Sequence, residues 1–251
     1  MSQRFSGHDP EQGSDTAGQP WAGRDVGSTG RTLAGSGFDT DDGLVDRRLQ
    51  AAMGQPHEEE ALVAAVHAAR ILVPIVAVAG KGASSDMASV TASAPDGTRA
   101  LLAFSSVAAL TSWDMTARPV PVTAQRAALA AVQEGCDVIV LDVGSSDTVT
   151  LRSSMVWALA MDRAWQPAHT DAGVQSAMQA ACAAQPAVVG HRLSAGPGGA
   201  LVVTLAMLPG LQASVVQAAV HSLAERIASD GETRARIDAI RFRVTQAGAP
   251  S

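Results

Sequence analysis

The fold is decided by residues 84–151, which read SSDMASVTASAPDGTRALLAFSSVAALTSWDMTARPVPVTAQRAALAAVQEGCDVIVLDVGSSDTVTL. Strand, turn and helix patterns follow one another here almost without a gap. Two strand candidates, 87–93 and 98–105, flank the sequence APDG at 94–97. Proline presets the φ of the second turn position, and glycine accepts the positive φ that follows. The stretch therefore predicts a β-hairpin.

Helices and strands alternate through the rest of this stretch and just beyond it. The predicted elements are a helix at 107–113 capped by Ser106, an edge strand at 118–122, a helix capped by Thr123 with Leu129 and Val132 on its apolar face, strands at 137–142 and 148–151, and a helix at 153–161. Such alternation implies an α/β domain with a mixed sheet, which we expect over residues 70–165.

The segments before the hairpin predict a tail, two helices and a strand. Residues 1–41 are rich in Gly, Ser, Asp, Gln and Thr and have no apolar period, so we expect them to be disordered. Leading helices are expected within 42–69, the first of them at 42–53. The apolar, β-branched run at 71–79 predicts a buried strand. Because Pro74 removes one donor from that strand, we expect it at an edge, a bulge or the strand's start.

Residues 166–251 predict a smaller α+β domain. Its expected elements are a helix capped by Thr170 with Val174, Met178, Ala181 and Cys182 facing inward, strands at 187–193 and 200–207, a helix carrying Val216, Val220, Leu223 and Ile227, and a last strand with Ile240, Phe242 and Val244 inward and Arg241 and Arg243 outward. This αββαβ order predicts an open-faced sheet under two helices. The fold class is therefore α/β and α+β in two successive domains.

Composition limits the kinds of partner. The formal net charge is −6, which argues against a nucleic-acid or anionic-membrane surface. There are only two cysteines, far apart in the sequence, so neither a disulfide framework nor a CxxC motif is available. No window reaches the roughly 20 apolar residues that span a bilayer, and the start of the chain lacks a signal-peptide pattern. We expect a cytoplasmic protein.

Several short motifs within about residues 70–165 resemble the SseB family, named for enhanced serine sensitivity, in the form common among high-GC Gram-positive bacteria. The matching segments are Val73-Pro74-Ile75-Val76, Ser84-Ser85-Asp86-Met87-Ala88, Pro95-Asp96-Gly97, Ala103-Phe104-Ser105-Ser106, Trp113-Asp114, Arg118-Pro119-Val120-Pro121-Val122 and Leu141-Asp142-Val143. The chain departs from the family pattern where Gly82-Ala83 separates Lys81 from the serines, at Ser105 in place of threonine, and at Val143 in place of proline. The resemblance implies a fold rather than a reaction.

Catalytic and cofactor motifs are weak throughout the chain. The sequence around Gly80-Lys81-Gly82 lacks the first glycine and the Ser or Thr of a phosphate-binding loop, and the run GPGG at 196–199 lies between two strands, which favours a hairpin turn. No Gly-x-Ser-x-Gly elbow is present, and the histidines are scattered. We therefore predict no catalytic residue, no metal site and no cofactor, and the chain is not expected to be an enzyme.

Arginines near the C-terminus offer another candidate surface. The residues concerned are Arg192, Arg234, Arg236, Arg241 and Arg243. They could gather on one side of the C-terminal sheet, although an ordinary solvated face accounts for them as well.

Counting outward from the hairpin turn suggests a site. Facing residue numbers sum to about 191 or 192, so Asp86 would lie across from Ser105 or Ser106 if the ladder ran that far. The helix after Ser106 would present free N–H groups at that edge, where they or Lys81 could hold the Asp86 carboxylate. The alternative, which stays open, is that these residues only cap the helix and tighten the loop. The predicted binding residues, including those of the family motifs, are Lys81, Ser84, Ser85, Asp86, Phe104, Ser105, Ser106, Trp113 and Asp142.

Two functions from different classes remain open. The first, which we prefer, is a non-catalytic adaptor that recognises another protein through the edge formed by residues 81–86 and 104–106. The second is a regulator sensing a small metabolite, or an enzyme linked to serine metabolism, with its pocket between the two domains. A deep pocket with converging polar groups would favour the second.

Overall fold

The computed structural model describes residues 37–55, 57–79 and 85–247, with the backbone alone for 76–79 and 85–88. The chain divides into the units Met1–Asp41 and Asp42–Ser251. In the first unit the described residues form a turn, in which the Asp41 N–H donates to the Phe38 carbonyl over 3.0 Å. Residues 1–36 lie outside the described part, so the expected disorder of 1–41 stays a prediction.

The first half of the second unit alternates strands and helices. Its elements are α1 Arg47–Met53, α2 Glu59–Ala68, β1 Arg70–Ala79, β2 Ser85–Ser89, β3 Thr91–Ser93, β4 Arg99–Ala103, α3 Val107–Trp113, β5 Arg118–Thr123, α4 Ala124–Gln133, β6 Val138–Leu141, β7 Val149–Leu151 and α5 Ser153–Ala160. The second half contains α6 Ala172–Ala183, β8 Val188–Ala195, β9 Leu201–Met207, α7 Ala213–Ser229, α8 Gly231–Ala235 and β10 Ile240–Gln246.

Two sheets organise the first half. One has the order β3-β4-β6-β7 and is mixed, because β4 and β6 are parallel while the outer pairs are antiparallel. The β3–β4 hairpin is confirmed, and Gly97 takes a φ of 88° in its turn. The other sheet has the order β2-β1-β5 and is antiparallel. The α/β class predicted from the sequence is confirmed.

Pro74 lies in the middle of the central strand β1, so the prediction of an edge, bulge or strand start is wrong. It faces Pro119 of β5, and on its other side its carbonyl accepts from the Val90 N–H over 3.2 Å. Leu72, two residues earlier, exchanges both backbone hydrogen bonds with Phe104. On that side, β1 pairs with Phe104 at Leu72 and with β2 from Ile75 onward. The missing N–H of Pro74 lies between these two pairings, so no ladder hydrogen bond is lost.

Capping side chains place several helix ends. Ser106 and Thr123 accept from the backbone N–H groups of Ala109 and Arg126, as predicted. The first helix begins later than expected, because Asp46 is its cap, so residues 42–46 are not helical. The cap of α6 is Asp171 and not Thr170. Carboxylates of Asp are as effective at this position as hydroxyls.

The buried face of α4 differs from the prediction. Leu129 and Val132 are 43% and 56% exposed, whereas the buried residues of the helix are Ala124, Ala127, Ala128 and Ala131. These small side chains pack α4 against β1 and α5. The predicted apolar face is therefore wrong.

The C-terminal sheet has the order β8-β9-β10, with β9 and β10 parallel. Helices α6 and α7 cover one of its faces, and Leu223 is fully buried beneath them. The αββαβ order is present with one addition, the short helix α8 before β10. Val244, predicted to point inward, is 44% exposed. Within the described residues no helix combines the length and hydropathy needed to cross a bilayer.

Candidate functional site

Three of the predicted site residues form a buried brace at the ends of two parallel strands. Ser105 follows β4 and Asp142 follows β6. The Ser105 backbone N–H and hydroxyl donate to the two carboxylate oxygens of Asp142 over 2.7 and 2.6 Å. Ser105 is 4% exposed and Asp142 6%, while Phe104 is fully buried beside them. This geometry ties β4 to β6 and leaves neither group facing solvent.

Asp142 reaches this position because its own backbone turns sharply. Its φ is 54°, in the left-handed region that Asp tolerates better than most residues. The Thr148 hydroxyl donates to its carbonyl over 2.8 Å. The Val143 that replaces the family's proline lies directly after this turn, and it packs in the small core around Phe104.

Two further predicted residues have structural contacts of their own. The Ser106 hydroxyl accepts from the Ala109 N–H over 3.1 Å and caps α3. The ring of Trp113, at the other end of that helix, lies 5.3 Å from the ring of Phe104. Both residues fix α3 against the sheet.

The predicted facing of Asp86 and Ser105 is not formed. The β3–β4 ladder has the expected sum of 192, but β2 pairs with β1, where Asp86 lies opposite Val78. Phe104 pairs with Leu72, six residues earlier on β1, which places the two groups about 20 Å apart along the strand. Ser85 lies opposite Ala79. Lys81 and Ser84 lie outside the described residues.

A cleft of about 640 Å³ opens between the start of α2 and the β8–β9 turn. Its walls come from residues 57–61, Arg152, parts of 165–169 and of 195–201, and Asp238. The volume is in the range of small-molecule sites. Among the described residues, no three His, Cys, Asp or Glu side chains are arranged to hold a metal ion.

An arginine at the floor of this cleft is already occupied. Arg152 donates two hydrogen bonds to the Glu59 carboxylate and one, over 2.8 Å, to Asp238. The bonds to Glu59, and then those to Asp238, raise the pKa of Arg152 above its ordinary value, although burial opposes them. The guanidinium also lies 5.8 Å from the centroid of the Trp165 ring. Arg152 therefore acts as a joint between α2, the start of α5 and the segment before β10.

The β8–β9 turn is fitted to this joint. Gly199 has a φ of 77°, and a Cβ added there would lie 2.5 Å from Nε of Arg152. The same carboxylate of Asp238 accepts from the Ser154 N–H and hydroxyl over 2.8 and 2.9 Å. Sequence analysis missed this network because its members are 84 to 93 residues apart. The unusual glycine run in the turn was the only local signal.

A second ionic cluster holds α8. Arg236 donates to Asp171 over 2.9 Å and to Glu232 over 2.7 Å. Arg163 also donates to Glu232, over 3.0 Å. The hydrogen bond from Arg236, and then that from Arg163, lower the pKa of the exposed Glu232 carboxyl. Of the five C-terminal arginines considered from the sequence, Arg236 is thus engaged within the protein.

Residues 45–158 match the family model described as the SseB protein N-terminal domain. This segment is an SseB-family domain. The resemblance of these motifs to the SseB family is confirmed, whereas the high-GC Gram-positive form stays a prediction. The match also includes α1 and α2. Comparison with curated proteins found no match, and comparison with solved structures found none either.

The SseB domain ends before the C-terminal sheet, whose face opposite the helices forms a grid of nine residues, among which Val202 is buried. Its three rows run across the sheet as Gly190–Ala206–Thr245, Arg192–Thr204–Arg243 and Ser194–Val202–Arg241. Residues 201, 203, 205 and 207 of β9 point to the opposite, helix-covered face. The grid therefore contains three arginines and no acidic residue.

The three grid arginines are exposed and unengaged. Arg192, Arg241 and Arg243 make no side-chain hydrogen bond or ion pair within the part of the chain that the structure describes. Arg192 and Arg243 flank Thr204 with backbones about 10 Å apart, and Arg241 and Arg243 are about 7 Å apart along β10. We call this surface the arginine face. It contrasts with the net charge of −6 for the whole chain.

The two cysteines are poor candidates for nucleophiles. Cys182 lies in the core between α6 and the C-terminal sheet, and burial raises the pKa of its thiol. Cys136 lies between α4 and β6, and burial raises its pKa too, although the charge of Arg99 opposes the change. A raised pKa keeps each thiol protonated at neutral pH, and the thiolate is the reactive form.

Proposed function

We propose that this chain, which contains an SseB-family domain, is a non-catalytic protein-binding module that recognises an acidic partner through the arginine face. The observation that carries the proposal is the grouping of the exposed Arg192, Arg241 and Arg243 on one sheet face whose grid holds no acidic residue. Guanidinium groups recognise carboxylates by paired, directional hydrogen bonds. An open face with three free guanidiniums therefore suits a protein surface rich in Asp and Glu.

The polar groups that could support chemistry are used inside the fold. Ser105 and Asp142 bond to each other, and Arg152 is shared by Glu59 and Asp238. Within the described residues, no buried side-chain nitrogen or oxygen lacks a hydrogen-bond partner. Such groups stabilise the fold. The proposal keeps the adaptor role expected from the sequence, but it places recognition on the C-terminal sheet and not at residues 104–106.

Matched arginine variants test this proposal. The triple variant R192A/R241A/R243A is compared with R118A/R126A/R226A, which removes the same charge from other exposed positions. Each variant and the wild-type chain is used to capture partners from a lysate of the source cells, and captured proteins are identified by mass spectrometry. We expect an acidic protein to be lost with the first variant and kept with the second. Equal capture by both variants would contradict the proposal.

The cleft supports a second candidate function, the binding of a small metabolite that carries a positive charge. Glu58 and Glu60 line it with exposed carboxylates that form no ion pair in the described structure. An amine could bind there while Arg152 keeps its own partners. Calorimetric titration with L-serine and L-lysine tests this function, with E58Q/E60Q as the variant. Heat of binding that disappears in the variant would support it, and no heat with the wild type would exclude these two ligands.

A further inference from the structure

Within the described residues β10 lies at the edge of its sheet, and its outer side carries a complete set of backbone hydrogen-bonding groups. The Leu201 N–H donates to the Ala239 carbonyl, and the Ala247 N–H donates to the Met207 carbonyl, so odd-numbered residues bond to β9. Because successive residues of a strand alternate, the groups of Ile240, Phe242, Val244 and Gln246 point away from β9. None of the four is proline. β10 can therefore accept another strand.

The side chains beside this edge define what that strand must contain. Arg241 and Arg243 lie on the arginine face, and Phe242 and Val244 lie on the helix side, where Val244 is 44% exposed. In a strand added to β10, residues i and i+2 stand opposite the two arginines, with a spacing near 7 Å that matches theirs. The residue between them points to Phe242 and Val244.

We propose that β10 binds an extended acidic segment of a partner protein as a fourth strand of the C-terminal sheet. The segment alternates carboxylates, which face Arg241 and Arg243, with an apolar residue that faces Phe242. This inference rests on the proposed function and specifies its partner. Charge complementarity selects the occupant, because the arginine face has no acidic residue of its own.

Two comparisons narrow the choice of edge and of ligand. The opposite edge strand, β8, contributes only Arg192 and has an irregular register between Val188 and Gly190, which interrupts its ladder. Single-stranded RNA binds sheet faces by stacking bases on aromatic rings, whereas the nine grid positions hold none. β10 and a peptide are therefore the better match.

Synthetic peptides test the inference directly. The first is the nine-residue peptide EVETEVETE, and the second, EEVTEEVTE, has the same composition but no two glutamates two positions apart. Affinities for the full chain are measured by fluorescence polarisation. We expect the alternating peptide to bind at least about tenfold more tightly, because only its carboxylates can face both arginines along one strand.

Two pairs of protein variants separate the backbone from the charges. V244P removes one outward N–H without touching the β9 ladder, and V244A keeps that N–H; Q246P replaces V244P if the latter does not fold. R241A/R243A is matched by R118A/R226A. We expect V244P and R241A/R243A each to weaken binding of the alternating peptide about tenfold or more, and the matched controls to leave it within about twofold.

The outcomes distinguish the two levels of the proposal. If both peptides bind equally and V244P has no effect, strand addition is overturned, while recognition of acidic proteins by the arginine face stands. The same holds if neither peptide binds but the captured partner still depends on the three arginines. If capture is also independent of the arginines, both proposals fall. Tighter binding of a single-stranded RNA than of the alternating peptide would overturn the inference as well.

Discussion

The two edge strands β5 and β10 have opposite capacities for pairing. Leu72 bonds to Phe104 on one side of β1, so on the other side the pairs Leu72–Pro121 and Pro74–Pro119 are not hydrogen-bonded. The backbones of Pro119 and Pro121 therefore point to the free edge of β5, where they offer no N–H. β10 presents four residues at its edge, and each keeps its donor.

This difference shows how an edge strand can either block or allow the addition of a strand from a partner. Prolines at alternate positions of β5 fall on one edge, which blocks strand addition while leaving the ladder with β1 intact. In β10 the alternate positions hold arginine on one face and apolar side chains on the other. A blocked edge in the SseB domain and an open edge in the C-terminal domain agree with recognition through the latter.

The largest effect is expected from the support beneath β9 and β10. Leu223 of α7 is fully buried in the core under the C-terminal sheet. Leu223→Ala should lower the free energy of unfolding by about 2 to 5 kcal/mol, through lost contacts and a residual cavity. Val215→Ala on the same helix, 43% exposed, is the control and should change it by less than about 0.5 kcal/mol. A loss below about 1 kcal/mol for L223A would contradict this packing.

The brace in the SseB domain should give the next effect. Asp142→Ala leaves the N–H and hydroxyl of Ser105 buried without an acceptor, which should cost about 1 to 3 kcal/mol in urea unfolding. Asp147→Ala, in the exposed turn nearby, serves as the control. Because Asp142 belongs to the SseB domain and the proposed site to the C-terminal sheet, partner capture by the folded variant should be unchanged. If the variant keeps its full stability but loses partner capture, Ser105 and Asp142 would be recognition residues, which would contradict this account.

Opening the closed edge should have a smaller effect. P119V/P121V restores two N–H groups to the free edge of β5, so the variant should associate with itself at concentrations where the wild type does not. Sedimentation velocity across a concentration series measures this, and V120A/V122A is the control because it adds no donor. Identical sedimentation of wild type and P119V/P121V would show that the prolines do not close the edge.

The smallest effect is expected from the ion pairs of Glu232 with Arg236 and Arg163, in the segment before β10. The pKa of Glu232 is lowered, so its ionised form is favoured in the folded state. Its stabilising effect is present above the unfolded pKa and is lost as pH falls through the folded pKa, which lies below the ordinary value near 4.5. Glu232→Gln should therefore reduce thermal stability slightly at pH 7 and not at pH 2 to 3. A larger difference at the lower pH would contradict the sign.

Local signals explain what the sequence predicted correctly. The hairpin turn at 94–97 and the caps Ser106 and Thr123 depend on neighbouring residues, and the structure forms all three. The facing of Asp86 and Ser105 failed because the chain changes partner at Val90, and hairpin counting carries no information about a third strand. In α4, alanines occur on every side of the helix, so Leu129 and Val132 were the only larger apolar side chains from which a buried face could be predicted. The structure buries the alanines instead.

Distance in sequence hid the remaining features. Glu59, Arg152 and Asp238 meet only after both domains have folded, so no spacing rule joins them. The sequence indicated the C-terminal arginines only as a group. Pairing with β9 places Arg241 and Arg243 on one sheet face, whereas Arg236 precedes β10 and binds Asp171. Alternation along β10 did predict that Arg241 and Arg243 share a face.

Amide hydrogen exchange measured by NMR tests the central claim most directly. Exchange of the N–H groups of Ile240, Phe242, Val244 and Gln246 is followed in the full chain with and without the alternating acidic peptide. The account predicts that peptide binding slows exchange at residues in this outward series. Peptide binding with no added protection along β10 would contradict it.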